Sequence, residues 1–170
     1  MLVEMFSPVF MERGEVRPPI RFKEGLNVVL GKEDGANSIG KSSAMLAIDF
    51  VFGGNTYLRS DGVKHIGHHT IFFAFLFNGE IHRFARSTED SDKVFPCKEN
   101  YDLIGPYWTK DEFVDWLKKQ YQMDFDGLSF RATMSSFFRI YGKDNTDERR
   151  PLRGCLLYTS DAADEEDSVD

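Results

Sequence analysis

Gly35-Ala36-Asn37-Ser38-Ile39-Gly40-Lys41-Ser42 satisfies the pattern G-x-x-x-x-G-K-[ST] at every position. Those residue types at that spacing suit the cradling of phosphate. Glycines let successive backbone N–H groups converge on an anion where a side chain would block them. A helix starting near Lys41 turns its positive end and its free N–H groups toward the same charge. On this reading Gly35, Asn37, Ser38, Ile39, Gly40, Lys41, Ser42 and Ser43 form a nucleotide site for ATP. Lys41 reaches the β- and γ-phosphates, and the Ser42 hydroxyl ligates Mg²⁺. The bland alternative is a glycine-rich turn that only caps a helix.

The flanking sequence favours the phosphate loop. Leu26-Asn27-Val28-Val29-Leu30 ends at Gly31 and reads as a short buried strand. After the loop, Met45, Ile48 and Phe52 recur at helical spacing over residues 42–52, and Gly53-Gly54 then stops the helix. One feature departs from the compact form of such loops. Lys32-Glu33-Asp34 lengthens the connection and brings two carboxylates toward the entry side of the cradle.

Asn37, Gly40-Lys41-Ser42-Ser43 and Ala47-Ile48-Asp49-Phe50-Val51-Phe52-Gly53 together resemble the N-terminal lobe of ATPase heads of the SMC, RecF and RecN type, which are ABC-type ATPases acting on DNA. The resemblance covers residues 1–90 well and residues 91–150 loosely. It implies an α/β P-loop NTPase fold, with a mixed sheet, a β-hairpin and flanking helices in that lobe. It implies ATP and Mg²⁺ as cofactors and, in the complete protein, ATP hydrolysis coupled to DNA repair or a related DNA transaction. The implied partners are a C-terminal lobe of the same protein, a second head in a homodimer, and double-stranded DNA. The implied location is the cytoplasm. Arg59 lies where such heads carry an arginine, after the loop helix, that links nucleotide state to DNA. Such a head also needs an apolar strand ending Asp-Glu and a Ser-Gly-rich signature, and neither occurs in these 170 residues. The catalytic acid therefore stays unassigned, and the chain reads as a fragment. Two other readings of the loop stay open, a nucleotide switch without hydrolysis and a compact P-loop kinase or GTPase.

Composition bounds the rest. The longest apolar run, residues 71–77, is far short of the roughly 20 residues a membrane-spanning helix needs. No apolar stretch near the N-terminus has signal-peptide length, and two cysteines make no disulfide framework. The net charge of −7 is a property of the tail, because residues 159–170 carry six acidic and no basic side chains. Residues 155–170 have no amphipathic period and read like translated adapter DNA or a disordered acidic tail. The domain is expected to occupy residues 1–154.

Further along, residues 70–77 and 80–87 flank Asn78-Gly79, the strongest short signal for a hairpin with a type I′ turn. Thr109-Lys110-Asp111-Glu112 is a capping box, followed by Phe113, Trp116, Leu117 and Tyr121 on one helical face. Phe130, Met134, Phe137, Phe138 and Tyr141 line another, closed by Gly142. His65, His68 and His69 invite a metal reading but lack a neighbouring Cys or carboxylate, so surface or packing roles are expected. Arg83 and Arg86 either approach phosphate or sit on a solvated sheet face. Residues 131–153 hold an excess of three basic side chains, as on a mixed surface or a phosphate-backbone contact.

Overall fold

The computed structural model describes residues 1–12, 14–28, 38–124, 127 and 129–135, with the backbone alone at 38–42, 132 and 135. In chain order the first elements are β1 (Leu2–Phe6), β2 (Met11–Glu12), β3 (Glu15–Val16), β4 (Ile20–Arg21) and α1 (Ser38–Val51). A single 3₁₀ turn (Thr56–Arg59) and α2 (Asp61–Ile66) follow. Next come β5 (Thr70–Phe77), β6 (Glu80–Ser87), β7 (Lys93–Cys97), β8 (Trp108–Thr109), α3 (Lys110–Gln120) and α4 (Phe130–Ser135). The chain divides into two units, Met1–Tyr121 and Gln122–Asp170.

The first unit is mixed α/β, built on a six-stranded sheet in the order β4-β1-β5-β6-β7-β8. Its centre is the hairpin read from the sequence. Asn78 and Gly79 take φ of 51° and 80°, as a type I′ turn requires, and the ladder runs without a slip from Phe77↔Glu80 to Thr70↔Ser87. Because side chains alternate along a strand, Ile71, Phe73, Phe75 and Phe77 share one face with Phe84 and Arg86. Met5 of β1 and Val94 of β7 join that face through their pairing with Phe73 and Arg86. Helices cover it. Phe52, just beyond α1, meets Phe75 at 5.3 Å between ring centroids, and Phe113 of α3 meets Phe84 at 5.1 Å. Trp116 packs on Phe84 at 5.2 Å and on Phe77 at 5.5 Å. Aromatic rings bury large apolar areas in edge-on and offset geometries, so this interlocked set is the main source of stability. Phe73, Phe75, Phe77, Phe84 and Phe113 are all buried in this core.

The opposite face of the sheet is thinner. Phe6, Phe72 and Tyr101 cluster there at 5.0 to 5.7 Å, and the Tyr101 hydroxyl donates to Glu4 Oε1 at 2.7 Å. Burial, followed by the Glu4 carboxylate, pushes the Tyr101 phenol above its ordinary range.

α3 begins as the sequence reading requires. The Thr109 side chain accepts from the Glu112 N–H at 3.2 Å, and the Thr109 N–H donates to Glu112 Oε2 at 2.7 Å. In the second unit, α4 buries Phe130 and Met134; the rest of the helix expected over 130–141 lies outside the described residues. Residues 155–170 lie outside them too.

Two expectations fail. The sheet is not mixed, since every strand pair among the described residues is antiparallel. The second is the strand expected over 26–30, of which residues 29 and 30 lie outside the described residues. Its described part, residues 26–28, joins no sheet, and Leu26 and Val28 are 83% and 64% exposed. Asn27 accounts for this. Its side-chain oxygen accepts from the Lys23 N–H at 3.0 Å, and its amide donates to the Lys23 carbonyl at 2.8 Å and the Gly25 carbonyl at 3.1 Å. A local side chain–backbone turn, with Gly25 at φ 81°, replaces the ladder.

Candidate functional site

α1 carries the candidate site at its N-terminal end. The helix starts at Ser38, four residues ahead of the expected Ser42, so Ile39, Gly40 and Lys41 already lie within its first turn. The loop reading put Gly40 before the helix instead. Ser42 and Ser43 continue α1, whereas Gly35, Ala36 and Asn37 lie outside the described residues, as do Glu33 and Asp34. The first amides of an α-helix have no acceptor within the helix, which here applies to residues 38–40. No acidic side chain occupies this first turn, so nothing there opposes an anion.

The other end of α1 is fixed by a close set of contacts. The Gly53 N–H donates to the Phe50 carbonyl at 3.0 Å and the Gly54 N–H to the Asp49 carbonyl at 2.8 Å. This is a Schellman stop, with Gly53 at φ 90°. A Cβ on Gly53 would also fall 2.5 Å from Val114 Cγ2 of α3, and one on Gly54 would overlap the Asp49 carboxylate. Gly53 is therefore needed for its backbone angle and its space, and a side chain at Gly54 would require the Asp49 carboxylate to move.

Arg86 completes that end. Its side chain is fully buried, against the expectation of a solvated or phosphate-facing residue. Nη1 donates to the Phe50 carbonyl at 2.6 Å and the Gly54 carbonyl at 2.9 Å. Nη2 donates to Asn55 Oδ1 at 2.9 Å, and Nε to the Ser91 carbonyl at 2.7 Å. The guanidinium also lies over the Phe50 ring, 4.0 Å from its centroid. A buried charge is tolerable only with such pairing, and a cation suits the negative end of the helix dipole. Arg83 stands an odd number of residues away and so faces the other side of the sheet, with its guanidinium 5.9 Å from the Tyr101 ring.

Beyond Asn55 the 3₁₀ turn leads to Arg59, which ends the turn and is exposed. Tyr57 of the same turn is buried, and burial pushes its phenol up to about 12. Its hydroxyl meets His69 Nε2 at 2.9 Å.

The histidines do not converge. His69 is held by Tyr57 and by the Gly67 carbonyl, His65 lies against the Asp61 carbonyl at 2.7 Å, and His68 against Thr88 Oγ1 at 3.3 Å. No group of three potential metal-ligating side chains exists among the described residues. Among the same residues no helix is long and apolar enough to cross a membrane.

The sequence reading brought Lys41, Ser42 and Arg59 forward and missed Arg86 as a determinant of helix position. The signal was available in strand parity, since Arg86 shares its face with Phe84, a core residue. Comparison with family models, with curated proteins and with solved structures returns no match to this chain.

Proposed function

We propose that residues 35–42, with Ser43, bind the phosphates of ATP together with Mg²⁺. We propose further that the chain is the nucleotide-binding N-terminal lobe of an SMC/RecF/RecN-like ATPase head. The observation that carries the reading is the placement of Gly40-Lys41-Ser42 in the N-terminal part of α1, a 14-residue helix with no acidic side chain in its first turn. The antiparallel sheet adds nothing specific to it; the support is the motif and the helix it opens. Lys41 supplies charge-assisted hydrogen bonds to the β- and γ-phosphates, Ser42 an oxygen for Mg²⁺, and the amides of residues 38–40 donors for the anion. Bound Mg²⁺ would neutralise phosphate charge and orient the nucleotide for transfer.

In the complete protein we propose hydrolysis by paired heads in a cytoplasmic DNA transaction, with Arg59 coupling nucleotide state to DNA. Arg59→Ala then lowers the stimulation of turnover by double-stranded DNA. Equal stimulation in both proteins would return Arg59 to the ordinary surface charges.

A thermal melt tests the binding step. At a nucleotide concentration 100 times its dissociation constant, Mg-ATP stabilises the folded chain by about 2.7 kcal/mol, a rise of several degrees in Tm. Lys41→Ala, binding at least about tenfold more weakly, should show about half of that rise or less. An equal rise in both proteins would remove Lys41 from the site.

A further inference from the structure

We infer that Arg86 is a positioning residue that couples nucleotide occupancy at the start of α1 to the turn carrying Arg59. The inference rests on the nucleotide reading of residues 35–42 and extends it to a residue remote from the loop. A 14-residue helix is a rod about 21 Å long, so displacement of one end is delivered to the other. At the far end, one guanidinium holds three consecutive pieces of backbone and side chain. Nη1 bridges the carbonyls of Phe50, in the last turn of α1, and Gly54, just past the Schellman stop. Nη2 reaches Asn55 Oδ1, and the Asn55 carbonyl in turn accepts the Leu58 N–H at 3.0 Å inside the 3₁₀ turn.

The guanidinium is planar and rigid, so its two forks cannot move independently. It is anchored in turn to the middle of the sheet, because Arg86 belongs to the central hairpin and Nε is tied to the Ser91 carbonyl. A shift of α1 along its axis must therefore be taken up at Gly53-Gly54 and Asn55, which leads directly into residues 56–59. Arg86 touches neither phosphate nor metal in this scheme. It sets where the helix end and the turn lie relative to each other.

Hydrogen exchange of the full chain with and without Mg-ATP, alongside calorimetric affinities, tests the coupling. In the wild-type protein, Mg-ATP should slow exchange of the amides over residues 53–60 by about threefold to tenfold, the scale of one hydrogen bond. Asn55→Ala removes the link between guanidinium and turn while leaving Arg86 paired with three backbone carbonyls. It should keep Mg-ATP affinity within about threefold of wild type yet lose the nucleotide-dependent slowing over residues 56–60. Arg86→Met should lose it as well, and Arg86→Lys, which keeps the charge but not the fork, should restore it only in part. If Arg86→Met does not fold, Asn55→Ala and Arg86→Lys decide alone. A purely structural Arg86 predicts the opposite pattern, lower stability with the nucleotide-dependent difference intact, and that result overturns the inference. So does a wild-type protein that binds Mg-ATP without any change over residues 53–60. A wild-type protein that binds no Mg-ATP overturns the nucleotide reading, and the coupling falls with it.

Discussion

The Tyr57 hydroxyl and His69 Nε2 stand 2.9 Å apart beneath the turn that follows α1, and the other ring nitrogen of His69 lies 2.8 Å from the Gly67 carbonyl. A carbonyl oxygen only accepts, so Nδ1 is the donor toward Gly67, and a ring protonated at Nδ1 alone accepts from Tyr57 at Nε2. Tyr57 is thereby the donor that holds the 3₁₀ turn onto the start of β5. Tyr57→Phe strands the Nε2 acceptor and should cost about 1–3 kcal/mol in chemical denaturation. No loss would mean that the pair contributes nothing.

The same residue sets an alkaline limit. Burial raises Tyr57 and Tyr121 to about 12, so the folded state keeps phenolic protons that the unfolded chain releases near pH 10. The unfolded state then binds fewer protons, and stability falls as pH rises from about 10 to about 12. Tyrosine absorbance should titrate in an early and a late class. A single class near pH 10 would contradict the packing.

Gly53→Ala and Gly79→Ala separate backbone strain from space. Both glycines have positive φ, but a Cβ at Gly79 meets nothing within 4 Å, whereas one at Gly53 collides with Val114. Gly79→Ala should cost about 1–2 kcal/mol, the left-handed penalty alone. Gly53→Ala should cost clearly more. Equal losses in urea unfolding would show that α3 yields freely.

The α3 cap offers a further test. Thr109→Ala removes the acceptor of the Glu112 N–H and should destabilise the protein by about 0.5–2 kcal/mol. Hydrogen bonds from the Thr109 backbone and then its hydroxyl hold the Glu112 carboxyl below its ordinary value. The stabilisation linked to that shift is present above the unfolded-state pKa of about 4.3 and disappears as pH falls through the lower folded value. Glu112→Gln should flatten this acid dependence; an unchanged pH profile would contradict the cap.

Legibility of the sequence followed how local the determinants are. The hairpin and α3 rest on short-range chemistry, Asn78-Gly79 and Thr109 to Glu112, and both stand where the residues placed them. The strand expected over 26–30 fails in its described part, residues 26–28, because a short apolar run says nothing about Asn27, whose amide closes a turn within four residues. Arg86 was misread for a different reason. Strand parity with Phe84 marked it as core-facing, but three of its partners, Phe50, Gly54 and Asn55, lie more than thirty residues away in sequence, and only tertiary packing brings the carbonyls of a helix end to a strand. At the candidate site the motif was legible in full, but the extra helical turn from Ser38 was not.

Turnover by this chain is expected to be nil. Phosphoryl transfer needs a carboxylate near the metal and a group to orient water, and no apolar run of this sequence ends in Asp-Glu. Phosphate release by the purified chain should equal that of its Lys41→Ala variant. Robust Lys41-dependent release would mean that the chain is a self-sufficient enzyme with an acid elsewhere in these residues.

Isothermal titration of Mg-ATP into the wild-type chain and into Lys41→Ala tests the central claim most directly. Nucleotide binding at residues 35–42 predicts a saturable one-to-one isotherm for the wild type. It predicts an affinity at least about tenfold weaker for Lys41→Ala, the loss of one charge-assisted hydrogen bond or more. Equal affinities, or no heat from the wild-type chain at all, would contradict it.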